Sequence, residues 1–414
     1  MSNEEKSGLK HWVPAFVLMV CVVLAFFDKI SIAVLFSDPH FQSAMGIAED
    51  KAKLGWLMTS FLLAYGFSSV FLSFLGDIFN PKKMLFWSVT SWGVLMFCMG
   101  FTTSYSGMLV LRVLLGLAEG PLFALAYTIV KQTYTDRQQA RASTMFLLGT
   151  PIGAFLGFPI TANVLAHHDW HTTFFVMAAL TLIAIFSIVF GLRNLQLKKT
   201  VEIEGESKRT NFKGHIANTK LLLSNSAFWL VCLFNIALMT YLWGLNSWVP
   251  SYLMQDKGFN LKEFGMYSSF PFIAMLIGEI IGAFLSDKLG RRAIQVFSGL
   301  LLAGIFMYVM VIMTEPLLII AAMSLSAMAW GFGVAAVFAL LARVTTSNVG
   351  ATAGGIFNGL GNFASAIAPV LIGYIVMQTH SFNLGITFLA AVAVIGSLFL
   401  VPLLKTLLIH CIGV

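Results

Sequence analysis

Charge is what this chain has least of. Asp, Glu, Lys and Arg make up 10% of its 414 residues, against about 25% in soluble domains. So few charges cannot cover a water-facing surface of this size, which excludes an ordinary soluble protein. Cysteine is scarce as well. Cys21, Cys98, Cys232 and Cys411 are scattered, three of them inside apolar runs, without metal-ligand spacing, so packing is their expected role. No phosphate-binding loop or nucleophile motif is present, which argues against an ATP-driven pump or an enzyme and implies no cofactor. His167, His168 and His171 flank Asp169, and a solvated loop explains them better than a metal site does.

Apolar residues are abundant, at 58% of the chain with 38 Phe and 35 Gly. They fall in runs of roughly 20 residues or more, the length a helix needs to cross a bilayer. Glycine is tolerated there because it lets backbones approach closely. Segmenting by runs and breakers predicts twelve spans, at 12–36, 52–75, 84–103, 106–130, 141–165, 171–193, 226–250, 264–286, 293–313, 316–341, 350–377 and 383–407. The first run resembles a signal peptide but continues to about Phe36 without a small-residue cleavage site, so it is expected to be retained as span 1.

One long polar stretch, 194–222, contains LKKTVEIEGESKRTNFKGH and reads as a cytoplasmic linker. It separates an N-terminal six-helix bundle, 1–193, from a C-terminal one, 223–414. Of the 25 Lys and Arg, 19 fall in cytoplasmic segments if both termini are cytoplasmic, and only Lys51, Lys53, Lys257 and Lys262 fall outside. That bias sets the orientation by the positive-inside rule. The net charge of +7 therefore reads as membrane topology and not as a nucleic-acid-binding face.

The two halves repeat. LGDIFNPKK (75–83) follows span 2 and LSDKLGRR (285–292) follows span 8, with Asp77 and Asp287 210 residues apart. Gly149 and Gly359 share that offset, as do Pro159 and Pro369. Three landmarks at one offset indicate duplication, which is how many secondary carriers are built.

At these residues the chain resembles the major facilitator superfamily. The resemblance implies an all-α membrane protein of twelve transmembrane helices in two pseudo-symmetric bundles. Asp77, Lys82 and Lys83, and the better-matched Asp287, Arg291 and Arg292, correspond to its gating motif; in the first copy Ser73 and Asn80 replace the usual glycines. A narrower resemblance, carried by FFDKISIAV (26–34), LRVLLGLAEGPLF (111–123), WVPSYL (248–253) and GGIFNGLGNF with Pro369, is to the anion:cation symporter family. It implies a bacterial inner-membrane importer of a sugar acid or aromatic carboxylate, monomeric, with protons as the second partner. Members usually have Arg where this chain has Lys29, and the two cations are not equivalent toward a carboxylate.

Four charges lie well inside spans of the N-terminal half: Asp28, Lys29, Arg112 and Glu119. A charge at the bilayer centre costs roughly 2.5–3.5 kcal/mol on insertion scales, so such residues seek a partner or a polar cavity. Arg112 and Glu119 are seven apart and share a helix face. Their counterparts at the 210 offset, and those of Asp28 and Lys29, are Ala322, Ala329, Leu238 and Met239. The chemistry is thus expected in the N-terminal half. The four charges sum to zero; a bound carboxylate makes the site −1 and one proton restores neutrality. That predicts proton-coupled anion symport by alternating access, with Lys29 holding the anion, Asp28 and Glu119 carrying protons and Arg112 modulating them. The alternative is a static ion-pair network.

Further candidates for substrate contact are Tyr65, Tyr241, Trp243, Asn246, Trp330, Asn358 and Asn362, each with interhelical bonding or interface anchoring as the alternative. Glu279 in span 8, about two turns before Asp287 and so expected near the cytoplasmic end, reads as a gate or packing contact. GTPIGAFLG (149–157) reads as close packing, but it loosely resembles a drug/proton antiporter signature and keeps a proton-antiporting exporter open as the second function.

Overall fold

The computed structural model describes residues 9–47, 50–71, 80–134, 136–195, 197, 220–289, 291–345 and 350–404. The assigned elements among them are all helical. In chain order they are α1 (Val13–Leu35), α2 (Pro39–Ala44), α3 (Lys51–Phe71), α4 (Pro81–Met99), α5 (Tyr105–Glu119), α6 (Leu122–Thr133), α7 (Asp136–Leu147), α8 (Gly149–His167) and α9 (Trp170–Gly191). Then come α10 (Ser226–Ser251), α11 (Leu261–Tyr267), α12 (Phe270–Leu289), α13 (Arg292–Ile312), α14 (Pro316–Val334), α15 (Val337–Val344), α16 (Gly350–Ser365), α17 (Ala368–Thr379) and α18 (Phe382–Leu398). Ten stretches among the described residues are long and apolar enough to cross a membrane. The helices α3 and α4, 21 and 19 residues long, complete twelve. Residues 194 to 222, expected as a linker, lie mostly outside the described residues.

Helix starts follow local chemistry. Asn80, Ser104, Asp169, Asn225 and Ser381 each accept a backbone N–H of the first turn that follows, satisfying donors that a helix end leaves free. Asn260 and Glu263 form a reciprocal capping box at α11. Span 4 is interrupted between α5 and α6 at Gly120 and Pro121, where proline has no N–H to continue the ladder.

The described residues cluster into two compact units, Met1–Gly46 with Ser60–Gly205, and Ile47–Thr59 with Glu206–Val414. In the first, α1 packs against α8 and α9, and α4 against α9; in the second, α14 packs against α12 and α13, and α10 against α16 and α18. The polarity is inverted relative to a water-soluble fold. Phe190 is 69% exposed and Phe284 77%, whereas Lys29, Arg112 and Glu119 are 0% exposed. Hydrocarbon-facing aromatics and buried charges are what a bilayer solvent selects.

Candidate functional site

The site in the first unit is built by glycines. On α8, a Cβ at Gly149 would lie 2.7 Å from the Met19 carbonyl, and one at Gly153 would collide with the Val23 carbonyl. The GTPIGAFLG stretch therefore seats α8 directly on α1. Thr161 Oγ1 then donates to Ser31 Oγ at 2.8 Å, and Ser31 Oγ to the Phe27 carbonyl at 2.6 Å, fixing α1 on either side of Asp28 and Lys29. The α5 helix is seated on α3 in the same way. A Cβ at Gly120 would lie 2.8 Å from the Tyr65 carbonyl, and one at Gly116 would lie 2.9 Å from the Tyr65 nitrogen. Ser68 and Ser69 hydroxyls donate to the Leu117 and Gly120 carbonyls at 2.6 and 2.9 Å.

These contacts bring the predicted charges together. Lys29 Nζ lies 3.8 Å from Glu119 Oε2, longer than a hydrogen bond, with both side chains buried. Three rings surround the ammonium: Tyr65 at 3.9 Å, Phe26 at 5.0 Å and Phe123 at 5.8 Å. Arg112 lies over the Phe61 ring at 4.4 Å, and Phe61 stacks on Tyr65. Asp28 is 2% exposed and feels the charges of Glu119, Arg112 and Lys29. A cation over aromatic faces is attracted by their quadrupoles, by about 2 kcal/mol or more when water is excluded. The rings therefore offer the Lys29 ammonium an attraction that needs no tight carboxylate. Phe26, Phe61 and Phe123 were missed by sequence reasoning, because nothing distinguishes three phenylalanines among 38 until the helices pack.

The second unit treats its candidates differently. The Tyr241 hydroxyl is engaged with Ser326 Oγ, which donates to the Ala303 carbonyl at 2.7 Å. Trp330 Nε1 donates to the Leu238 carbonyl at 3.3 Å. Trp243 and Asn246 are buried. Asn362 Nδ2 donates to Asn358 Oδ1 at 3.1 Å, with Asn358 exposed in the middle of α16. These groups are distributed over α10, α14 and α16 and are not drawn into one ion-pair cluster like that of the first unit.

Of the gating-motif residues, Asp77 lies outside the described residues, as does the side chain of Asp287. Lys82 Nζ donates to the Leu192 and Leu195 carbonyls at 2.9 and 3.1 Å, closing the C-terminal end of α9. Arg292 reaches the Ala339 carbonyl at 3.4 Å, while Lys83 and Arg291 are exposed. In the first turn of α9, His171 Nδ1 pairs with the Gly100 carbonyl at 2.7 Å and its ring stacks on Trp170.

A family model described as Major Facilitator Superfamily matches residues 18–369 and 253–408. The chain belongs to the major facilitator superfamily. It is accordingly a transporter and not an enzyme. It also resembles the anion:cation symporter family within that superfamily. The probable galactarate/D-glucarate transporter GudP of Escherichia coli (strain K12) is 25% identical over 98% of this chain and 96% of the relative. The probable sulfoacetate transporter SauU of Cupriavidus necator is 25% identical over 94% of this chain and 93% of the relative. The hexuronate transporter of Bacillus subtilis is 22% identical over 94% of each chain. The crystal structure of a bacterial homolog to the human lysosomal transporter Spinster, inward-facing and unoccupied, superposes with a TM-score of 0.78 at 16% identity over 97% of this chain and 98% of that one, a likeness of fold.

Proposed function

We propose that this transporter imports a small organic anion, of the sugar-acid or related carboxylate class, together with protons and by alternating access. The observation that carries the reading is the loose Lys29–Glu119 pair. Both groups are fully buried, yet they stand 3.8 Å apart without a hydrogen bond. A buried ion pair is held by the mutual attraction of its charges. Protonating Glu119 removes that attraction and leaves the Lys29 ammonium to its aromatic cage. A substrate carboxylate then supplies the missing negative charge. Release of the proton on the other side restores the pair and expels the anion. Asp28 is the second acid of this site, and Arg112, stacked on Phe61, holds the local potential positive.

The relatives named above are called transporters of galactarate or D-glucarate, sulfoacetate and hexuronate, and their shared chemistry is an acidic group on a small polar skeleton. We assign the same class here, in a multi-pass bacterial inner-membrane protein with cytoplasmic termini. The glycines of GTPIGAFLG pack on α1, which supports the packing reading of that stretch.

The test is uptake in proteoliposomes of D-galactonate, D-glucarate, D-glucuronate and sulfoacetate under an inwardly directed proton gradient. Accumulation of at least one acid, abolished by a protonophore, is expected. Accumulation only under a gradient of opposite sense would replace symport with antiport.

A further inference from the structure

The duplication leaves one acid of the second unit without a role. Glu279 is the tenth of the 20 residues of α12, inside the apolar stretch Leu261–Ser286 and about two turns before its C-terminal end. Ile273, Ile277, Ile280, Ile281 and Phe284 form the exposed face of that helix. At about 100° per residue, Glu279 projects away from the centre of this face, onto the arc of buried Met275 and Ser286. There α14 approaches very closely. A Cβ at Gly278 would collide with the Met328 carbonyl, and one at Gly331 would lie 3.2 Å from Glu279 Cγ.

No hydrogen bond or ion pair reaches Glu279 from the described residues. The α14 helix carries no titratable side chain. The α13 helix carries Arg292 at its first position and Tyr308, half-exposed on its surface, and neither acts on Glu279. An ionised carboxylate inside a span without a cation is strongly disfavoured, and the neutral acid is not.

The repeat gives the depth a meaning. At the 210-residue offset Glu279 corresponds to Ser69, and Ser69 donates to the carbonyl of Gly120, the residue after Glu119. Glu279 thus occupies in the second unit the level that Glu119 occupies in the first. We propose that Glu279 is a further proton-holding carboxyl of the transport cycle, beside those of the N-terminal half and located in the C-terminal half. Each half then carries a proton-holding acid, and a monoanion travels with net positive charge when Glu119 and Glu279 are both protonated. That consequence rests on the proton-coupled reading above; the protonation of Glu279 does not.

The two are separated by experiment. Infrared titration of the reconstituted wild type should show a protonated-carboxyl C=O band that Glu279→Gln removes and Glu119→Gln retains. If Glu279→Gln folds poorly, Glu279→Asp should shift that band. A band unmoved by either substitution overturns the proposal. In proteoliposomes accumulating D-galactonate, Glu279→Gln should lower the accumulation ratio about tenfold per unit of pH gradient, the contribution of one coupled proton. An unchanged ratio with the band lost means a static proton and overturns the role in the cycle. Wild-type protein that shows the band but no proton-driven uptake of any acid instead removes the function proposed above.

Discussion

Lys29 Nζ lies 3.9 Å from the centroid of the Tyr65 ring and 3.8 Å from the nearest Glu119 oxygen, well beyond the N–H···O optimum of about 2.9 Å. The cation is shared between an aromatic face and a carboxylate, so either can hold it alone. Under the proposed function the ring takes part in anion binding. Tyr65→Phe keeps the face and is expected to leave transport within about twofold of wild type. Tyr65→Leu removes it and should weaken anion binding by about 1–2 kcal/mol, roughly five- to thirtyfold. Anion-induced thermal stabilisation of the purified protein checks both.

Lys29→Met preserves length and loses the charge. Glu119 then loses its buried counter-ion, and an incoming carboxylate meets no ammonium. Binding of D-galactonate or of any other acid that stabilises the wild type should fall at least about 100-fold, consistent with losses of 2–5 kcal/mol when one partner of a buried charge pair is truncated. Retained stabilisation by the acid would show that the anion is held elsewhere.

Glu119→Gln mimics the protonated acid. It should separate exchange from coupling: counterflow of the anion down equal concentrations persists, and accumulation driven by a proton gradient disappears. Asp28→Asn should reduce coupled uptake as well. Full proton-driven accumulation in both variants would return the four charges to a structural network.

Gly116→Val places a branched side chain where even a Cβ would run into the Phe61 carbonyl. The α5 helix must then move off α3, carrying Arg112 and Glu119 with it. Overpacking of this kind costs about 1–3 kcal/mol. The expected result is a lower unfolding temperature in detergent together with loss of uptake, whereas an exposed position such as Leu114 should accept Val without either.

Asp169 caps α9 through the Thr172 amide and hydroxyl, at 2.9 and 2.8 Å. These bonds hold its carboxyl below the usual value of 3.8. A folded-state value below the unfolded one stabilises above the unfolded value and is lost as pH falls through the folded one, so the cap works fully at neutral pH and fails only in acid. Asp169→Ala should destabilise by about 1 kcal/mol at neutral pH, and Asp169→Asn by less. Thermal unfolding at neutral pH measures the difference.

Much of this molecule is legible in composition and spacing. A bilayer leaves a spanning chain few choices, because every backbone polar group must be satisfied within the span. Long apolar runs, one polar stretch, the bias of Lys and Arg and the 210-residue repeat therefore specify twelve helices in two halves without any knowledge of packing. Asp28, Lys29, Arg112 and Glu119 stand out for the same reason, since a charge in hydrocarbon is rare enough to be conspicuous. Which of them touch is another matter. Adjacent Asp28 and Lys29 differ by about 100° around their helix, and only the seating of α8 glycines on α1 and of α5 glycines on α3 turns Lys29 toward Glu119. The same packing selects Phe26, Phe61 and Phe123 from many equivalent phenylalanines, engages Tyr241 with Ser326, and brings Glu279 against Gly331 with no ion pair from the described residues. Sequence determined which groups are costly to bury; tertiary structure decided which of those costs are met by a partner and which remain for a proton.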